Sequence, residues 1–161
     1  GDKNWHAFNL ALGDEQCVRT INISANSESS SLLAMLSAHL QAAPQSKYIG
    51  SEQVHLNTLD NIFEQVCIGA KNIYLKIDTQ GYESQVLRGA ARSLASIDTI
   101  QLEMSLTPLY AGQPLFDHLC ANLLQRGYRL VGLENNFGDA KTGRLLQVDG
   151  IFHRDRDALC P

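Results

Sequence analysis

Residues 78–83 read Asp-Thr-Gln-Gly-Tyr-Glu, so two carboxylates, Asp78 and Glu83, flank a tight turn; a third, Glu103, closes a later apolar stretch. A carboxylate at such a place can orient a hydroxyl group or take its proton. Three of them meeting at one point would instead offer hard oxygen ligands to a divalent cation. Each also has a purely structural use. Asp78 can cap the helix that follows it, and Glu83 in the first helical turn suits the helix dipole. Gln80 and Gly81 supply the turn itself, where a backbone contact to a ligand is the alternative to a plain connection. Tyr110, downstream of Glu103, is a residue type that serves packing more often than ligand binding.

The elements that must position these groups are visible around them. Residues 72–78 (NIYLKID) are rich in β-formers and end on Asp78. Gly81 can take positive φ at no steric cost. Val86, Leu87, Ala90, Ala91 and Leu94 then recur at helical spacing. In an open α/β sheet, ligands gather at the carboxyl ends of strands, which is where Asp78 falls. Residues 99–105 (TIQLEMS) alternate apolar and polar and put Glu103 on the same rim. Before this centre, residues 6–12 and 17–23 are expected to form a hairpin. Leu32, Leu33, Leu36 and Leu40 mark a helix capped by one of Ser29, Ser30 or Ser31. Residues 53–57 make a strand, and Thr58 or Asp60 caps a short helix over 61–66. After it, residues 115–126 form a helix stopped by Gly127. Residues 128–133 and 145–154 pair antiparallel across turn material at 135–139. The expected fold class is α/β, one sheet with a parallel centre and an antiparallel C-terminal edge hairpin, in a single domain spanning 1–161.

Composition narrows the partners. With 44% hydrophobic and 19% charged residues the chain can bury a core. A net charge of −4 gives no electrostatic footing for nucleic acid or an anionic membrane. Cys17, Cys67, Cys120 and Cys160 are far apart and form no Cys-x-x-Cys pair, so reduced thiols are expected rather than zinc or a disulfide framework. His39, His55, His118 and His153 share no metal-ligand spacing and read as surface or packing residues. The polar start has no signal-peptide character, and no apolar run is long enough to span a bilayer, so a cytoplasmic protein is expected.

The segment LKIDTQGYESQVLRGA, residues 75–90, resembles the signature of the FkbM-type methyltransferases. Residues 9–14 (NLALGD), 30–32 (SSL), 54–60, 100–103 with Pro108 and Tyr110, and 149–152 resemble further family segments in the same order. The resemblance implies a Rossmann-like class I methyltransferase sheet and methyl transfer from S-adenosylmethionine. The acceptor it implies is a hydroxyl on a sugar or another small molecule. On that reading Asp78, Glu83 and Glu103 are catalytic, Gln80, Gly81 and Tyr110 substrate-binding, and Ala11, Leu12 and Asp14 lie by the cofactor, and no residue is assigned as a metal ligand. A non-catalytic module kept for assembly and a metal-dependent enzyme are the alternatives. The glycine-rich loop and acidic strand end that hold half of the cofactor in that family have no counterpart in these residues. The sheet is therefore expected to be truncated on its N-terminal side. That in turn leaves the edge of the 72–78 strand open, and either a different docking of the 6–23 hairpin or two chains pairing through it is the expected remedy.

Overall fold

The computed structural model describes residues 3–154. Its strands are β1 (Ala11–Leu12), β2 (Cys17–Ser24), β3 (Tyr48–Asn57), β4 (Tyr74–Ile77), β5 (Thr99–Ser105), β6 (Tyr128–Asp139) and β7 (Arg144–Arg154). The helices are α1 (Ser37–Ala42), α2 (Leu59–Val66), α3 (Glu83–Gly89) and α4 (Phe116–Gln125). The fold is α/β with parallel and antiparallel strands, as expected. The strands divide into two sheets rather than one, ordered β1-β3-β2 and β4-β5-β7-β6.

The expected hairpin between residues 6–12 and 17–23 does not form. β2 runs antiparallel to β3, from Cys17 opposite Leu56 to Ser24 opposite Tyr48. β1 pairs parallel with the other edge of β3, Ala11 opposite Leu56. The long β3 thus separates the two segments, because its ten residues offer β2 a far longer ladder than β1 could. The expected helix from Leu32 is also displaced; α1 begins only at Ser37. The preceding carbonyls are already taken. Asn22 N–H bonds Ser31 O, Tyr48 OH bonds Leu33 O, Ala111 N–H bonds Ala34 O, and the Asn22 amide reaches both Ser31 O and Leu33 O. Carbonyls committed to tertiary donors cannot close helical turns. Thr58 caps α2 through Asn61 N–H, whereas Asp60 accepts from the backbone N–H and hydroxyl of Ser93 and so ties α2 to the turn after α3.

In the second sheet, β4 and β5 are parallel, β7 returns antiparallel to β5, and β6 forms the outer edge. This is the parallel centre and C-terminal antiparallel hairpin read from the sequence, with the hairpin's second strand folded inward. Ile100, Leu102 and Met104 of β5 are fully buried with Val86, Leu87, Leu119, Leu123 and Phe152. α3 is held against the end of β1 by a close approach at Gly89, where a Cβ would lie 1.8 Å from Gly13 O. Arg88 clamps the same junction through Asp14, at 2.8 Å. Among the described residues β4 pairs with β5 alone, and Tyr74 on it is half exposed. Among those residues Cys17, Cys67 and Cys120 are free, and of the three Cys120 is buried. No helix among them is long and apolar enough to cross a membrane.

Candidate functional site

The turn after β4 is built by Glu83. Its carboxylate oxygen Oε1 accepts from Thr79 N–H at 3.1 Å, Thr79 Oγ1 at 3.2 Å and Gly81 N–H at 3.0 Å. Gly81 takes φ 98° and passes within 3.0 Å of Tyr110 Cβ, if a Cβ is imagined on it. Gln80, a non-glycine residue, is held at φ 53°. Such a conformation is unfavourable for an L-residue and persists only where its surroundings fix it. Here Ser31 Oγ donates to Gln80 O at 2.7 Å, and Tyr110 OH donates to the Gln80 side-chain oxygen at 2.7 Å.

The Gln80 amide nitrogen is thereby turned toward two carboxyl groups, donating to Asp78 Oδ1 and Glu103 Oε2, each at 2.8 Å. A second amide repeats the arrangement. Asn136 donates to Glu103 Oε1 and Asp149 Oδ1, each at 2.9 Å. Asn136 is the extra residue of a bulge in β6, between Asn135 opposite Val148 and Phe137 opposite Gln147. A bulge re-aims a side chain out of the regular alternation. The sequence reading placed this stretch in a turn; β6 instead continues through it to Asp139. Gln147 adds a third amide donor to Glu103 at 2.8 Å. Asp78, Glu103 and Asp149 thus form a row of carboxyls joined by amides, and Glu103 lies directly across the ladder from Asp149.

Burial raises Glu103 most, and the charges of Asp78, Glu83 and Asp149 add to it; its carboxyl is pushed up to about 8. The amide of Gln147 opposes the rise without cancelling it. Burial also raises Glu83, against the backbone donors of the turn. The Tyr110 hydroxyl, buried beside Tyr48 and Glu103, is pushed far above its ordinary range. Asp78 is exposed by comparison and lies 3.5 Å from the Lys76 ammonium.

Two spaces meet at this row. An open, largely apolar groove of about 650 Å³ runs between β1 and the free edge of β4, along Ala11, Leu12, Leu75, Ile77 and Tyr82. A smaller polar cavity of about 420 Å³ is lined by Ser29, His39, Ser46, Gln80, Glu103 and Gln147. Asp78 lines both, as does Glu28.

The structure therefore gathers Asp78, Gln80 and Glu103 at one point, with Tyr110 and Gly81 supporting them. Ala11 and Leu12 wall the groove. Asp14 stands outside its lining, paired with Arg88. Glu83 turns into the 79–81 backbone, so the three carboxylates do not converge. Among the described residues no group of three or more acidic, histidine or cysteine side chains is placed to hold a metal ion. His39, Asn136, Gln147 and Asp149 were missed by sequence reasoning. Asp149 opens the 149–152 segment that resembles the family, but no local pattern marks the other three, which come from distant elements and, for Asn136, from a bulge.

These features define an α/β protein with a strand-end carboxylate site set between an apolar groove and a polar cavity. The chain matches the Methyltransferase FkbM domain over residues 2–130, and it belongs to that family. No curated protein and no solved structure matches it. Asn136, Gln147 and Asp149 lie beyond the matched stretch, so the site joins the family segment to the C-terminal hairpin.

Proposed function

We propose that this chain is an S-adenosylmethionine-dependent O-methyltransferase acting on a hydroxyl of a sugar or similar small molecule. One observation carries the reading: Asp78 lines both the groove and the polar cavity. A donor in one and an acceptor in the other would meet beside it, and alignment of two reactants is most of what such a transfer needs. The strand order β4-β5-β7-β6, with its C-terminal antiparallel hairpin, supports a Rossmann-like class I sheet.

The groove fits the nucleoside part of the cofactor in size and lining. Ala11, Leu12 and Tyr82 offer apolar walls, and Asp78 and Glu28 offer acceptors for hydroxyls or an ammonium. Asp14 contributes from outside by holding β1 to α3. Bound there, S-adenosylmethionine supplies an electrophilic methyl. The chain's own residues do the rest. Asp78 orients the acceptor hydroxyl. Glu103, raised to about 8, takes the hydroxyl proton as the oxygen is alkylated. Gln80 keeps the two carboxyls in register, and Tyr110 and Gly81 keep Gln80 in place. Glu83 acts as a positioning residue through the turn.

The test is incubation with methyl-labelled S-adenosylmethionine and a panel of methyl glycosides, read by mass spectrometry. Transfer of label to a glycoside hydroxyl, lost in Asp78→Asn, is expected. Label transferred equally by the variant would overturn the placement of Asp78 between donor and acceptor.

A further inference from the structure

His39 is buried at 3% exposure in the wall of the polar cavity, and its Nδ1 has no hydrogen-bond partner. A buried polar atom left unpaired costs stability, and folded proteins pair almost all of them. The ring is held by packing instead. It stands edge-on to Tyr110 and tilted against Phe137, each at 5.2 Å between centroids. Burial lowers its pKa, so the imidazole is neutral and carries one donor and one acceptor nitrogen. The other buried polar side chains of the wall are committed. Ser46 bonds Ser29 and Asn26, Gln147 bonds Glu103, and Gln80 bonds Asp78, Glu103 and Tyr110. His39 is the contrast: a polar group beside the cavity whose Nδ1 has no hydrogen bond to lose when the ring turns about its side-chain torsion.

We propose that His39 is a specificity-determining residue: it hydrogen-bonds a second hydroxyl of the acceptor, away from the one that reacts, and so fixes which hydroxyl faces Asp78. This rests on the reading that the polar cavity holds the acceptor. It assigns the cost of the unpaired nitrogen to ligand recognition, in the way that strained or unsatisfied groups elsewhere serve sites.

The experiment titrates the full chain, labelled with ¹⁵N-histidine, with a panel of methyl glycosides. It follows the His39 ring nitrogens by NMR and repeats the titration in His39→Phe and His39→Asn. Phenylalanine fills the same space between Tyr110 and Phe137 without the unpaired atom, so its melting temperature is expected to equal or exceed that of the parent. The expected result is a glycoside-dependent shift of the His39 Nδ1 resonance and affinity weakened about five- to tenfold in His39→Phe, the loss of about one hydrogen bond. His39→Asn, which restores a donor and an acceptor near the same place, keeps affinity within about threefold. Glycoside binding that leaves the His39 resonances unmoved, and is equal in His39→Phe, overturns the inference while the acceptor reading stands. If no glycoside perturbs any residue of the cavity in the parent chain, the acceptor reading falls and this inference falls with it. Should His39→Phe fail to fold, the resonance shift and the His39→Asn affinity decide the matter.

Discussion

Gln80 donates its side-chain amide to Glu103 at 2.8 Å from a backbone held at φ 53°. The unfavourable dihedral and the bridge between carboxyls are two sides of one arrangement, since the left-handed turn is what aims the amide at the β5 rim. Gln80→Gly separates them. Glycine adopts this φ freely, which offsets part of the lost hydrogen bonding, so the melting midpoint in urea is expected to correspond to a change within about 1 kcal/mol. Methyl transfer is expected to fall by about tenfold or more, because Asp78 and Glu103 lose their common donor. Retained activity would show that the bridge is scaffolding only.

Glu103 makes stability depend on pH with a definite sign. Its folded-state pKa of about 8 lies above the ordinary 4.5. The folded chain therefore holds a proton that the unfolded chain releases. The stability it contributes is fully present below about pH 4.5 and is lost as pH rises through about 8, by up to roughly 5 kcal/mol. Glu83, also raised, acts in the same sense. Urea melts of Glu103→Gln across this range are expected to be flatter than those of the parent. Activity of the parent is expected to rise to a plateau above about pH 8, as Glu103 loses its proton.

Glu83→Ala removes an acceptor from Thr79 N–H, Thr79 Oγ1 and Gly81 N–H together and leaves those donors under cover. A loss of about 2–4 kcal/mol is expected by chemical denaturation. Glu83→Gln keeps an acceptor oxygen in the same place and is expected to retain most of the stability. If glutamine costs as much as alanine, the charge of Glu83, rather than its hydrogen bonds, is what matters.

Gly89→Ala tests the junction of the two sheets. The added Cβ would fall 1.8 Å from Gly13 O, and a backbone carbonyl has no flexible end to move. A loss of about 2–4 kcal/mol is expected, more than the gain in helix propensity could offset. Ala11 and Leu12 would be pushed from β4, so the variant is also expected to bind S-adenosylhomocysteine more weakly. A neutral result in calorimetry and denaturation would mean that α3 and the residue 13–14 corner are not rigidly joined.

The open edge of β4 is a further handle. Chain pairing through it would cover part of the groove wall formed by Leu75 and Ile77. Sedimentation velocity is expected to show concentration-dependent dimers that S-adenosylhomocysteine dissociates. A dimer insensitive to the ligand would place the pairing elsewhere.

The parts of this site that are contiguous in the chain were legible in the sequence. Asp78, Gln80, Gly81 and Glu83 are one strand–turn–helix, and Glu103 follows from the alternation of β5. What was not legible depends on pairing at a distance. The choice of β3 over β1 as the partner of β2 is a competition between ladders that local pattern does not decide. The delayed start of α1 comes from donors at Asn22, Tyr48 and Ala111 that occupy carbonyls of residues 31–34. Asn136 reaches Glu103 through a bulge that looks like a turn in the sequence. His39 looks like any helical histidine until its neighbours Tyr110 and Phe137 are in place.

The proposed transfer depends on the groove between β1 and β4 accepting the cofactor beside Asp78. Isothermal calorimetry with S-adenosylhomocysteine tests it most directly, on the parent chain and on Ala11→Trp, in which the indole would fill the groove. One-to-one binding to the parent and none to the variant is expected, with both chains folded by circular dichroism. Equal binding by both chains, or no heat from the parent, would contradict it.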